Sequence, residues 1–115
     1  MFTEIQSYRI FLDSGTQQNR CFTTINLYDN DGEVIGVLQF FDDEIMPEEP
    51  EHISRVYLQY STLKFPFIVD ILRNEKPIYI GYWENKYGRY GRIYTGKEPV
   101  GEGEVHIPEL PQESS

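Results

Sequence analysis

The sequence predicts an α+β protein: a mostly antiparallel, strongly curved β-sheet or half-open barrel of about six strands with one helix, in the order β-β-β-β-α-β-β. Three observations predict it. Runs rich in Tyr, Phe, Ile, Val and Thr alternate with polar residues over most of the 115-residue chain, the period of a half-buried strand. A single stretch has helical spacing. No regular strand–helix alternation follows, which argues against a doubly wound parallel sheet. Short connections favour antiparallel neighbours, and strands apolar on both faces favour barrel or sandwich packing over one flat layer.

Residues 3–13 read as the first strand, with Tyr8, Ile10 and Leu12 alternating, ended by the turn residues Asp13, Ser14 and Gly15. Residues 20–29 are the second, with Cys21, Thr23, Ile25 and Leu27 on one face. Asn30-Asp31-Gly32 tolerates positive φ and joins it to a returning strand at 33–41 as a hairpin. Residues 42–51 carry six acids and two prolines, Pro47 and Pro50, and read as an exposed loop. Residues 52–60 form a fourth strand. In 61–74, Phe65, Ile68, Val69 and Leu72 fall at i, i+3, i+4 and i+7. Ser61 or Thr62 is placed to cap this helix, Pro66 suits its first turn, and Asn74 and Pro77 stop it. Residues 77–84 and 92–96 are the last two strands, joined by a Tyr- and Gly-rich loop at 85–91. Residues 1–98 are expected to form one domain with its helix near 62–74, and 99–115 an acidic, mobile tail.

Composition limits the function classes. The net charge is −9, which disfavours a general nucleic-acid or anionic-membrane binder, because phosphate affinity comes mainly from Lys and Arg. The charge is uneven: residues 1–63 carry a net −8, residues 64–97 a net +4, and residues 98–115 a net −5. One cysteine, Cys21, cannot make an internal disulfide. No apolar run approaches a membrane span, and no leader pattern stands at residues 1–9. A cytoplasmic protein without a membrane role is the expectation.

Chemistry is sparse. Cys21, His52 and His106 show no spacing that would bring a thiol and an imidazole together, so a small buried thiol and two solvated imidazoles are the simpler reading. Asp29-Asn30-Asp31-Gly32-Glu33 begins like a calcium loop, but position twelve is Phe40, not a bidentate acid, and strands flank it. The acids Asp42, Asp43, Glu44, Glu48, Glu49 and Glu51 read as a solvated loop, with collection of a divalent cation or docking of a basic partner as the alternatives. No catalytic residue, metal ligand or cofactor is predicted.

Residues 79–97 differ. Tyr79, Tyr82, Trp83, Tyr87, Tyr90 and Tyr94 are interleaved with Lys86, Arg89, Arg92 and Lys97. Tyr, Trp and Arg anchor protein interfaces, and the same interleaving can stack single-stranded bases. Ordinary β packing of these rings is the competing reading. The candidate binding residues are Trp83, Tyr87, Arg89, Tyr90 and Arg92, at the tip of a hairpin.

The runs at 68–79 (IVDILRNEKPIY) and 98–104 (EPVGEGE) resemble a pattern in small uncharacterised bacterial proteins of similar length. The resemblance implies a bacterial, single-domain, cytosolic protein and transfers no site.

The expectation is therefore a non-enzymatic protein-interaction module, with a protein partner or a homodimer and the acidic loop as a second surface. Two alternatives stand beside it. One is a small-molecule binder or enzyme with a pocket in the curved sheet, using residues such as Arg9, Arg55, Tyr57 and Asp70. The other is weak single-stranded nucleic-acid binding, with the acidic tail masking the basic segment.

Overall fold

Among the described residues, two sheets and one α-helix follow from where the apolar residues of each strand fall. The computed structural model describes residues 2–14, 23–42, 50–97 and 99–100. Eight strands are seen: β1 (Phe2–Ile5), β2 (Ser7–Leu12), β3 (Thr23–Tyr28), β4 (Val34–Phe41), β5 (Glu51–Ile53), β6 (Arg55–Ser61), β7 (Ile78–Asn85) and β8 (Gly88–Thr95). The helix α1 (Phe65–Asn74) lies between β6 and β7. One sheet has the order β1-β7-β8 and the other β2-β3-β4-β6-β5. They do not close into a barrel, which corrects the half-open barrel expected from the sequence.

Two of the expected strands each split in two. The first breaks at Gln6, so that β1 pairs with β7 in one sheet while β2 pairs with β3 in the other. The Gln6 backbone N–H still donates to the Tyr28 carbonyl at 2.8 Å, so the crossing residue stays bonded to the larger sheet. The fourth breaks at Ser54, whose φ of +61° folds β5 back onto β6. A left-handed serine is uncommon and neither periodicity nor composition marks it. The pairing of β4 with β6 is parallel, against the antiparallel expectation. A parallel pair needs a crossover of about a dozen residues, and the stretch from 42 to 54 supplies it. All other pairings are antiparallel.

The hairpin between β3 and β4 forms as read. Gly32 has φ +81°, and one Asp29 carboxylate oxygen accepts from the backbone N–H of Asp31 (2.9 Å) and of Glu33 (3.0 Å). That oxygen serves the turn, in keeping with the hairpin reading of this acidic run.

Pairing places Ile25, Leu27, Leu38, Phe40, Val56 and Leu58 on one face of the five-stranded sheet, all buried. Ile5, Ile78, Ile80 and Tyr82 of the smaller sheet complete this core. Val37 and Phe41 are buried on the opposite face of β4, which accounts for its near-continuous apolar run. The sheets touch closely where side chains are missing. A methyl at Gly36 would meet the Ile80 side chain, and one at Gly91 would meet Leu58.

Helix α1 covers the core through Ile68 and Leu72, with the Phe65 ring edge-on to Phe40 at 5.2 Å. A 3-10 turn at Thr62–Lys64 precedes it, and Ser61 Oγ caps that turn by accepting from the Leu63 N–H at 3.2 Å. Phe67 and Leu63 are exposed. No helix among the described residues is long and apolar enough to cross a membrane.

Candidate binding surface

Alternation along β7 and β8 sorts the predicted residues onto two faces. Trp83 pairs with Tyr90, Tyr79 with Tyr94, and Gly81 with Arg92, so these six share the face turned away from the core. Glu84 pairs with Arg89 on the other side of the ribbon. The expected loop at 85–91 is mostly strand. Only Lys86 and Tyr87 lie between the paired residues Asn85 and Gly88. The positive φ that closes this turn, +137°, is carried by Gly88, and Asn85 Oδ1 accepts from the Tyr87 N–H at 2.8 Å.

The five predicted residues therefore do not converge on one tip. Trp83, Tyr90 and Arg92 come together on the strand face. Tyr87 projects from the turn, 86 % exposed, with the Lys86 ammonium 5.3 Å from its ring centre. Arg89 belongs to the opposite face and makes an interaction of its own.

On the outer face the rings form a connected row. Trp83 stacks on Tyr90 at 5.2 Å with 23° between planes, and lies 6.5 Å from Tyr94. Tyr94 stacks on Tyr79 at 5.4 Å, and Phe2 of β1 meets Tyr79 edge-on at 5.8 Å. Such contacts sit within the favourable range for aromatic pairs. The Arg92 guanidinium lies over three of these rings, 5.1 Å from the Trp83 centroid, 5.6 Å from Tyr94 and 5.8 Å from Tyr90. Gly81 makes this arrangement possible, because any β-carbon there would run into the six-membered ring of Trp83. The indole lies across the gap that the missing side chain leaves.

Burial separates structural rings from available ones. Tyr82 and Phe40 are in the core. Tyr60 is partly buried and packs on Phe40 at 6.1 Å; burial raises its hydroxyl pKa, opposed by a hydrogen bond from the Ile93 backbone. Trp83, Tyr79 and Tyr94 are half-buried by one another, Tyr90 is 47 % exposed, and Arg92 is exposed. Phe2 is the member of the row that the sequence did not reveal, since only the long-range pairing of β1 with β7 brings it there.

No family model matches the chain, and neither a curated protein nor a solved structure does. The functional reading therefore rests on the surface itself.

The other candidates do not assemble. Arg9 and Tyr57 share a row on the outer face of the larger sheet with two strands between them, about 14 Å at the usual strand spacing. Asp70 lies on the exposed side of α1, bonded to Asn74 at 2.7 Å. Two open depressions flank the helix, one of 460 Å³ lined by Ile5, Tyr8, Leu72 and Lys76 among others, the other of 540 Å³ lined by Phe65, Val69 and Asp70. His52 is exposed and packs on Tyr82 at 5.2 Å. Cys21, His106, most of the acidic run 42–51 and residues 101–115 of the tail lie outside the described residues. Among the described residues no group of three His, Cys, Asp or Glu is placed to hold a metal ion.

Proposed function

We propose that the protein is a non-enzymatic interaction module that binds a protein partner through the outer face of β7 and β8. One observation carries this reading: Trp83, Tyr90 and Tyr94 stack around Arg92 on the side of the sheet that faces away from the core. Trp, Tyr and Arg are the residues whose truncation costs most at interfaces. Rings already held by their neighbours lose little rotamer freedom when a partner covers them. A bacterial, cytoplasmic setting belongs to the same proposal, supported by the resemblance of residues 68–79 and 98–104 and by a chain with a single cysteine.

The test is affinity capture from the native cell with the full-length chain and its Trp83→Ala, Tyr90→Ala and Arg89→Ala variants. Capture of a protein that disappears with Trp83→Ala and Tyr90→Ala, and survives Arg89→Ala on the opposite face, is the expected result. Equal recovery by all four chains overturns the assignment. So does retention of oligonucleotide, in place of protein, that weakens steeply with salt.

A further inference from the structure

We propose that Arg92 is the receptor for a carboxylate on the partner, so that the bound segment carries an Asp or Glu side chain between aromatic or aliphatic neighbours. The inference deepens the interaction reading and rests on it.

The guanidinium is fixed over Trp83, Tyr94 and Tyr90 at 5.1, 5.6 and 5.8 Å, yet it is exposed. Among the described residues it has ring contacts only and no acidic partner. These ring contacts occupy no carboxylate-type acceptor, so the N–H fork is left for one, and its geometry matches a carboxylate with two parallel hydrogen bonds. A partner carboxylate that meets this fork places its flanking side chains against Trp83 and Tyr90 on one side and Tyr94 on the other. The partner then loses water from apolar surface and pairs its charge in one movement.

Charge selects a carboxylate over a run of phosphates. Segment 64–97 is net positive, but the whole chain is −9. A nucleic-acid strand brings a charge with every nucleotide and meets that long-range field along its length. A single carboxylate at Arg92 interacts within a few ångströms, well inside a Debye length of about 8–10 Å. Glu4 stands on the same face, beside Tyr79 in β1, and makes the far end of the aromatic row unfavourable for a second acid.

The experiment selects short peptides displayed on phage against immobilised full-length protein, its Trp83→Ala variant, and its Arg92→Gln and Arg92→Lys variants. All four are first shown to melt at similar temperatures. The expected result on the parent chain is enrichment of peptides with an Asp or Glu flanked by aromatic or aliphatic residues. A synthetic copy of an enriched peptide should bind Arg92→Gln about tenfold to a hundredfold more weakly, the range for a lost charge-assisted hydrogen bond. Arg92→Lys, which keeps the charge but not the fork, should fall between. Quenching or shift of the fluorescence of Trp83, the single tryptophan, reports binding at this face. Peptides that depend on Trp83 but show no acidic preference and bind Arg92→Gln equally well overturn the carboxylate assignment while sparing the interaction surface. Failure to enrich any peptide that depends on Trp83 overturns both.

Discussion

A methyl group at position 91 should loosen the contact that holds β8 on the larger sheet. In Gly91→Ala the new β-carbon runs into the Leu58 side chain and stands 3.0 Å from the Gly81 carbonyl oxygen. Leu58 is only 2 % exposed and packs within the core, so moving it disturbs its neighbours, and the Gly81 oxygen belongs to a paired strand. Overpacking of this kind costs about 1–3 kcal/mol. Replacing glycine returns about 0.4–1 kcal/mol by restricting the unfolded chain. The net expectation is a loss of about 1–2 kcal/mol, and a small domain loses about 4–8 °C of melting temperature per kcal/mol. Thermal unfolding followed by far-ultraviolet circular dichroism measures it directly.

The cause is tested by adding Leu58→Ala. Alone, that truncation should cost about 2–5 kcal/mol through the cavity it leaves. Combined with Gly91→Ala it leaves room for the methyl, so the double variant should lose less than the two single losses together, by about 0.5 kcal/mol or more. A Gly91→Ala chain that melts at or above the parent temperature, or strict additivity in the double variant, would refute the packing of β8 against β6.

Two further outcomes follow from groups already described. Burial holds the Tyr60 hydroxyl pKa above its ordinary 10.0, more than offsetting the backbone hydrogen bond from Ile93. Its contribution to stability is thus fully present below pH 10.0 and is lost as pH rises through the raised folded value. Urea midpoints measured upward from about pH 8 should therefore fall beyond the ordinary tyrosine pKa, and fall less steeply in Tyr60→Phe. Equal slopes would contradict the placement of that hydroxyl. Asp29→Ala removes the acceptor for two backbone N–H groups of the β3–β4 turn and should lower stability by about 1 kcal/mol. The urea midpoint should drop with an unchanged slope, and an unmoved midpoint would show that Asp29 does not hold the turn.

Local signals were legible and long-range ones were not. The Asn30-Asp31-Gly32 hairpin and the helix ending at Asn74 are set by residues within a few positions of each other, and both formed where the sequence places them. The breaks at Gln6 and Ser54 have no local mark, since neither residue is Gly or Pro. Gln6 turns because Ile5 and Tyr8 each find a partner strand in a different sheet. The parallel pairing of β4 and β6 also depends on the whole sheet, because a crossover through 42–54 looks like any connection from inside it. At the binding surface, the residue types and their clustering were visible, but the face each occupies was not. That depends on a two-residue turn at Lys86-Tyr87, in place of the longer loop the sequence suggests, and this puts Arg89 behind the ribbon and Arg92 in front. Gly81 and Trp83 stand two apart in the sequence, yet only a strand conformation makes one the resting place of the other.

The exchange at Gln6 has a consequence for synthesis. A ribosome releases the N-terminus first, and β2, β3 and β4 can join as soon as they emerge. β1 cannot, because the partner of Phe2 is Gly81. Residues 2–5 must therefore wait, hydrogen-bonded to water instead of to a strand, until nearly all of the described chain has left the exit tunnel. The aromatic row that ends at Phe2 is accordingly among the last features to be completed.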